Sequence, residues 1–149
     1  MSFDDELYRE IITDHSRNPH NKGRVDPADF VVHDSNPLCG DEIEVSARVE
    51  DGHVADIAFE GRGCSISQSS ASMMTDVIKG QDLATTDAII NSFKAFMMSR
   101  GEPEIAIDTL GDLEALQGVK KYPVRIKCAL IGWNTLLKGL LDYQKTHAR

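Results

Sequence analysis

The chain has 149 residues, 41% hydrophobic and 27% charged, with a net charge of −8. That size and mixture suit one domain, 1–149, whose core needs no disulfide staples, and the acidic balance argues against nucleic acid as a partner. No apolar run approaches the roughly 20 residues that span a bilayer, and the acidic opening MSFDDELYREII lacks the basic and apolar regions of a secretory signal, so the expectation is a cytoplasmic protein with no membrane partner.

Residues 4–15 carry Leu7, Tyr8, Ile11 and Ile12 at helical spacing, and the pattern breaks in HSRNPHNKG at Asn18, Pro19 and Gly23. Three strand patterns follow: 29–35, then 42–50 with Ile43, Val45, Ala47 and Val49 alternating, then 54–61. The DGH between the last two is a hairpin signal and predicts antiparallel pairing. After Gly63 the period turns helical through Ile66, Ala71, Met73, Met74, Val77 and Ile78, and stops at Gly80. The many serines and alanines there predict a helix packed closely against the sheet. A second helix over 84–98 runs into the breaker group SRGEP, a short acidic helix covers LGDLEALQGV, and a final helix over 126–145 aligns Ile126, Leu130, Trp133, Leu137, Leu140 and Leu141 along one side. Strands first and helices after predict an α+β fold, an antiparallel three-stranded sheet with helices packed on one face.

Each of the three cysteines falls at a junction. Cys39 sits in the NPLCGDEI turn between the first two strands, Cys64 where the third strand gives way to a helix after EGRG, and Cys128 in the first turns of the last helix. Glycine-rich backbone leaves room for a ligand, and helix N-terminal amides favour a thiolate, an advantage expected for Cys64 and Cys128. In a reducing compartment, three cysteines read as metal ligands, reactive thiols or small buried hydrophobes rather than disulfides. Taken singly, Cys128 reads as a core thiol and Asp41 as a turn residue bonding its own backbone. Taken together, three thiolates and the Asp41 carboxylate make four ligands, enough for tetrahedral zinc or most of what an iron–sulfur cluster needs. The carboxylate is the hardest donor of the four, and therefore the one most easily displaced from a soft metal. There is no HExxH motif, and His15, His20, His33, His53 and His147 read as surface or capping residues. The basic group Lys120, Lys121, Arg125 and Lys127 reads as a solvated surface run or a partner-facing patch.

NPLCGDEI, GRGCSISQSSASMM and YPVRIKCALIGW resemble the three cysteine motifs of the U-type iron–sulfur assembly proteins, the family of the scaffold IscU and the N-terminal domain of NifU. DHSRNPHNKG resembles the segment after that family's first helix, so the likeness covers nearly the whole chain. Within the family the chain looks most like the SufU branch: residues 99–118 lengthen the interval between Cys64 and Cys128, and KKYPVRIKC stands where the scaffold branch has an LPPVK motif and a histidine, with Lys127 in the histidine's place. The resemblance implies a SufE/NifU-like α+β fold in which Cys39, Asp41, Cys64 and Cys128 converge on zinc. It further implies a sulfur acceptor that takes persulfide sulfur from a SufS-type, pyridoxal-phosphate-dependent cysteine desulfurase and hands it to downstream iron–sulfur assembly proteins. Cys39 is then the expected acceptor, with Arg125 and Lys127 near the rim on sequence proximity. The alternatives are a scaffold holding a [2Fe–2S] cluster or iron at the same residues, and a small binding module with purely structural zinc.

Overall fold

The computed structural model describes residues 3–37, 40–98 and 111–147. In chain order these form helix α1 (Phe3–Arg17), strands β1 (Phe30–Asn36), β2 (Asp41–Glu50) and β3 (His53–Arg62), helices α2 (Ser65–Ile78) and α3 (Leu83–Met98), a 3-10 helix (Gly111–Lys121) and helix α4 (Pro123–His147). Cys39 and residues 99–110, most of the expected extra segment, lie outside the described residues.

The sheet is antiparallel in the order β1-β2-β3, with Val32 opposite Val45 and Val45 opposite Phe59. Asp51 and Gly52 both adopt positive φ, 51° and 74°, as a two-residue hairpin turn requires to match the twist of its strands. Ile43, Val45, Ala47, Ile57 and Phe59 are buried, and the helices lie over the sheet, α4 against β1 and β2 and α2 against β3. The expected α+β arrangement is the one observed.

Alternation along β2 is less clean than its sequence pattern, because Ser46 is buried as well. The connection from α1 to β1 is responsible: Val25 is buried and its N–H donates to Ser46 Oγ at 2.9 Å. The same connection covers the outer edge of β3, where Gly23 N–H donates to Phe59 O at 2.8 Å and Phe59 N–H to Asn21 O at 3.1 Å. Closing this edge removes a row of open backbone groups.

Helix α2 is the centre of the helical layer, touching α1, α4, β3 and the 3-10 helix. It buries Ser67, Ser69, Ser70, Ser72 and Thr75 together with Ala71, Met73 and Met74. Small side chains allow that close approach, provided each hydroxyl finds a partner. Ser70 shows how: it donates to Ala129 O at 2.6 Å and accepts the indole N–H of Trp133 at 3.1 Å, while Trp133 stacks on Phe93 at 4.4 Å between ring centres. On the α4 side Gly132 makes the approach possible, since a Cβ there would lie 3.3 Å from the Ala71 Cβ.

Two expectations need correction. Helix α4 begins at Pro123 rather than Ile126, because proline suits the first helical position, where its fixed φ fits and its missing N–H costs nothing. Cys128 is thereby placed in the second turn, beyond the first turn to which the helix-dipole effect is largely confined. His15 is not a surface residue: it is 2% exposed, with Nδ1 2.7 Å from Ser72 Oγ and Nε2 2.8 Å from Asp112.

Candidate metal centre

Asp41 opens β2 and is 1% exposed. Its Oδ1 accepts the Cys64 amide N–H at 2.9 Å and the Ser67 hydroxyl at 3.1 Å. Its Oδ2 is buried and has no hydrogen-bond partner among the described residues. A carboxylate oxygen removed from water without a partner is costly, so this atom marks a place built for something electropositive.

Gly63 shapes the other side of the carboxylate. It has φ +154°, and a Cβ at that position would fall 2.1 Å from Asp41 Oδ1 and 2.9 Å from Ser67 Oγ. Only glycine leaves the carboxylate where it is.

Cys64 follows as the N-cap of α2, with extended backbone angles and no side-chain bond back to the helix. Its sulfur is therefore not consumed in capping, and the positive end of the helix suits an anionic donor there. Cys128 comes from α4 and is buried, with its Sγ 3.7 Å from the carbonyl oxygen of Val124. The three elements meet at one place: a carboxylate oxygen of Asp41 and the sulfurs of Cys64 and Cys128 all lie within 4.8 Å of one another.

Those donors fit a zinc-class ion. Tetrahedral zinc with bonds of about 2.3 Å to sulfur holds its donors about 3.8 Å apart, and donors that all lie within 4.8 Å of one another are compatible with that. Two sulfurs with one oxygen suit a borderline to soft cation rather than magnesium or calcium, and Asp41 Oδ2 is a lone-pair donor with no competing hydrogen bond among the described residues.

Arg125 and Lys127 are exposed, and Arg125 shares a groove of about 440 Å³ with Arg9, Lys121, Tyr122, Ser65 and Ile66, immediately beside Cys64. Sequence reading singled out Asp41, Cys64 and Cys128, and the fold brings these three side chains together. It missed Gly63 and Ser67, although the GRG before Cys64 marked unusual backbone.

Comparison with known proteins gives the family. Residues 7–129 match the NifU-like N terminal domain. The chain belongs to this family. It is 48% identical over 143 residues to the zinc-dependent sulfurtransferase SufU of Bacillus subtilis, covering 94% of this chain and 95% of that protein. It is also 39% identical over 134 residues to the iron–sulfur cluster assembly scaffold protein IscU of Streptococcus pyogenes, covering 90% of this chain and 82% of the relative. Among solved structures, one described as an iron–sulfur cluster assembly scaffold protein for the SUF system of Fervidobacterium islandicum superposes with a TM-score of 0.82 at 31% identity, covering 91% of this chain and 97% of the other. For a NifU-like member, the Asp41, Cys64 and Cys128 cluster is a feature that β2, α2 and α4 each supply in part. No described helix is long and apolar enough to cross a membrane.

Proposed function

We propose that this protein is a zinc-dependent sulfur acceptor that takes persulfide sulfur from a SufS-type cysteine desulfurase for iron–sulfur cluster assembly in the cytoplasm. The observation that carries the proposal is the meeting of Asp41, Cys64 and Cys128, with a buried Asp41 oxygen that has no hydrogen-bond partner among the described residues, in a chain 48% identical to a zinc-dependent sulfurtransferase. The reading takes 1–149 as one domain, supported by a continuous core drawn from the sheet, α2, α3, the 3-10 helix and α4.

Asp41, Cys64 and Cys128 would hold the ion, with Cys39, two residues before Asp41 in sequence, as a fourth ligand and the acceptor. Zinc, when bound, keeps the cysteine sulfurs as thiolates at neutral pH. In the transfer the Cys39 thiolate attacks the terminal sulfur of the donor's cysteine persulfide. A new S–S bond forms to Cys39 as the donor's S–S bond breaks, the donor cysteine leaves as a thiolate, and no outside oxidant or reductant is needed. The Cys64 amide and the Ser67 hydroxyl keep Asp41 aimed during this exchange. Arg125 and Lys127 supply positive charge for an acidic partner surface.

The test is transfer of labelled sulfur from a desulfurase to the full chain. Label reaches the parent protein and is lost in Cys39→Ser. Label on Cys39→Ser at the parent rate would remove Cys39 as acceptor. The scaffold reading is kept as the second because of the 39% identical IscU relative. It predicts a brown, visibly absorbing protein when purified without oxygen, where the zinc reading predicts a colourless one.

A further inference from the structure

A second group of metal-ligand side chains lies at the far end of α2, and the sulfur chemistry proposed above does not use it. Ligand atoms of His15, His20 and Asp76 all lie within 4.8 Å of one another. Cys64 and Asp76 are twelve residues apart along the chain of α2, about 18 Å along a helix axis, so one ion cannot serve both groups.

The hydrogen bonds around His15 are those of a prepared ligand. A carboxylate oxygen can only accept, so the 2.8 Å contact with Asp112 assigns the proton to His15 Nε2. That leaves Nδ1 with its lone pair, 2.7 Å from Ser72 Oγ, which donates to it while accepting the His20 amide N–H at 2.8 Å. A metal-binding histidine almost always has its other ring N–H held by such a carboxylate, which fixes tautomer and orientation. His15 is buried, and its ring lies against that of His20 at 4.5 Å between centres.

The other two donors are half open. His20 Nδ1 is hydrogen-bonded to Asp76 Oδ2, and the two side chains are 45% and 42% exposed. The second oxygen, Asp76 Oδ1, accepts from the Asn21 amide at 3.3 Å, and Asn21 in turn donates to Thr75 Oγ1 at 2.9 Å. A buried histidine locked from behind, a second histidine and a carboxylate together offer two nitrogens and one oxygen with an open side facing water. Three protein ligands with room for water is the form of an exchangeable zinc site, and imidazole donors select zinc, nickel or cobalt over magnesium or calcium.

The geometry points to a second divalent-metal site, of the zinc class, formed by His15 Nδ1, His20 Nδ1 and Asp76, with Asp112 as the positioning residue behind His15. Loading it replaces the Ser72–His15 and His20–Asp76 hydrogen bonds by bonds to the ion, and His20 binds as a neutral imidazole, its Nδ1 proton exchanged through solvent for one on Nε2. The ion would tie the end of α1 and the loop after it to the last turn of α2.

The experiment is zinc titration of the full chain, with metal per chain measured after dialysis and the histidine ring protons followed by NMR. The expected result is two zinc per chain in the parent and one in His20→Ala or Asp76→Asn, with the His15 and His20 ring signals moving as the second equivalent binds. Asp112→Asn should weaken that equivalent about tenfold to a hundredfold without moving the first. Asp41→Ala separates the two readings, because it should lose the first equivalent and keep the one that His20→Ala removes. Because His20 and Asp76 are exposed, their variants do not threaten the fold. Zinc uptake by His20→Ala and Asp76→Asn equal to the parent's, or ring signals that stay still throughout the titration, would overturn the site.

Discussion

Replacing Asp41 by asparagine should move stability in opposite directions with and without metal. The Asp41 carboxylate accepts at Oδ1 from Cys64 N–H and Ser67 Oγ–H, and its buried Oδ2 has no hydrogen-bond partner among the described residues. Asparagine keeps the accepting oxygen and puts an NH₂ where Oδ2 stood, in the group that also holds the sulfurs of Cys64 and Cys128. An unpartnered buried polar group costs about 1–3 kcal/mol, so metal-free Asp41→Asn should range from unchanged to about 3 kcal/mol more stable. At about 2–4 °C per kcal/mol for a chain of this size, that is a rise in Tm of up to about 10 °C. With zinc the sign reverses. The amide presents N–H groups to the cation in place of a lone pair, and losing a direct ligand should weaken binding by at least about a hundredfold, the upper end for loss of an outer-shell partner. The zinc-dependent gain in stability then shrinks by about 2.7 kcal/mol. Calorimetric melts of parent and variant, each chelator-stripped and zinc-saturated, measure all four values. A metal-free variant melting well below the metal-free parent, or one retaining the parent's full response to zinc, would refute the reasoning.

Other outcomes follow from the same neighbourhood and its supports. Gly63→Ala forces a Cβ against Asp41 Oδ1 at a φ of +154°, and should cost about 2–4 kcal/mol in strain and lost hydrogen bonding while lowering zinc uptake, both read from calorimetry with metal analysis. Ser70→Ala strands the buried Trp133 N–H between α2 and α4, a loss of about 1–3 kcal/mol visible as a lower Tm and altered tryptophan fluorescence. Away from the site, the Thr85 amide donates to Asp82 at the start of α3 and holds that carboxyl below its ordinary value of 3.8. The contribution is thus complete above that value and fades as pH falls through the lower folded one. Asp82→Asn, which keeps a capping oxygen, should flatten this acid loss in urea melts run at successive pH values; an unchanged slope would remove Asp82 as its source.

Local chemistry was enough to place the elements of this protein. The alternation of Ile43, Val45 and Ala47, the Asp51-Gly52 turn and the helical spacing from Ile66 to Ile78 are periodic signals carried by neighbours in the chain, and such signals survive without knowledge of the fold. Residue type likewise marked Asp41 and Cys64, a carboxylate and a thiol beside glycine-rich breaks, whereas Cys128, a core thiol taken singly, joined them only when the three cysteines were weighed together. Only the tertiary structure decided which atoms meet. The bare oxygen of Asp41, the space held open by Gly63 and the burial of His15 between Ser72 and Asp112 all join residues from 22 to 97 positions apart. No pattern of adjacent residues encodes whether such a group loses its water, because that depends on what the rest of the chain packs against it.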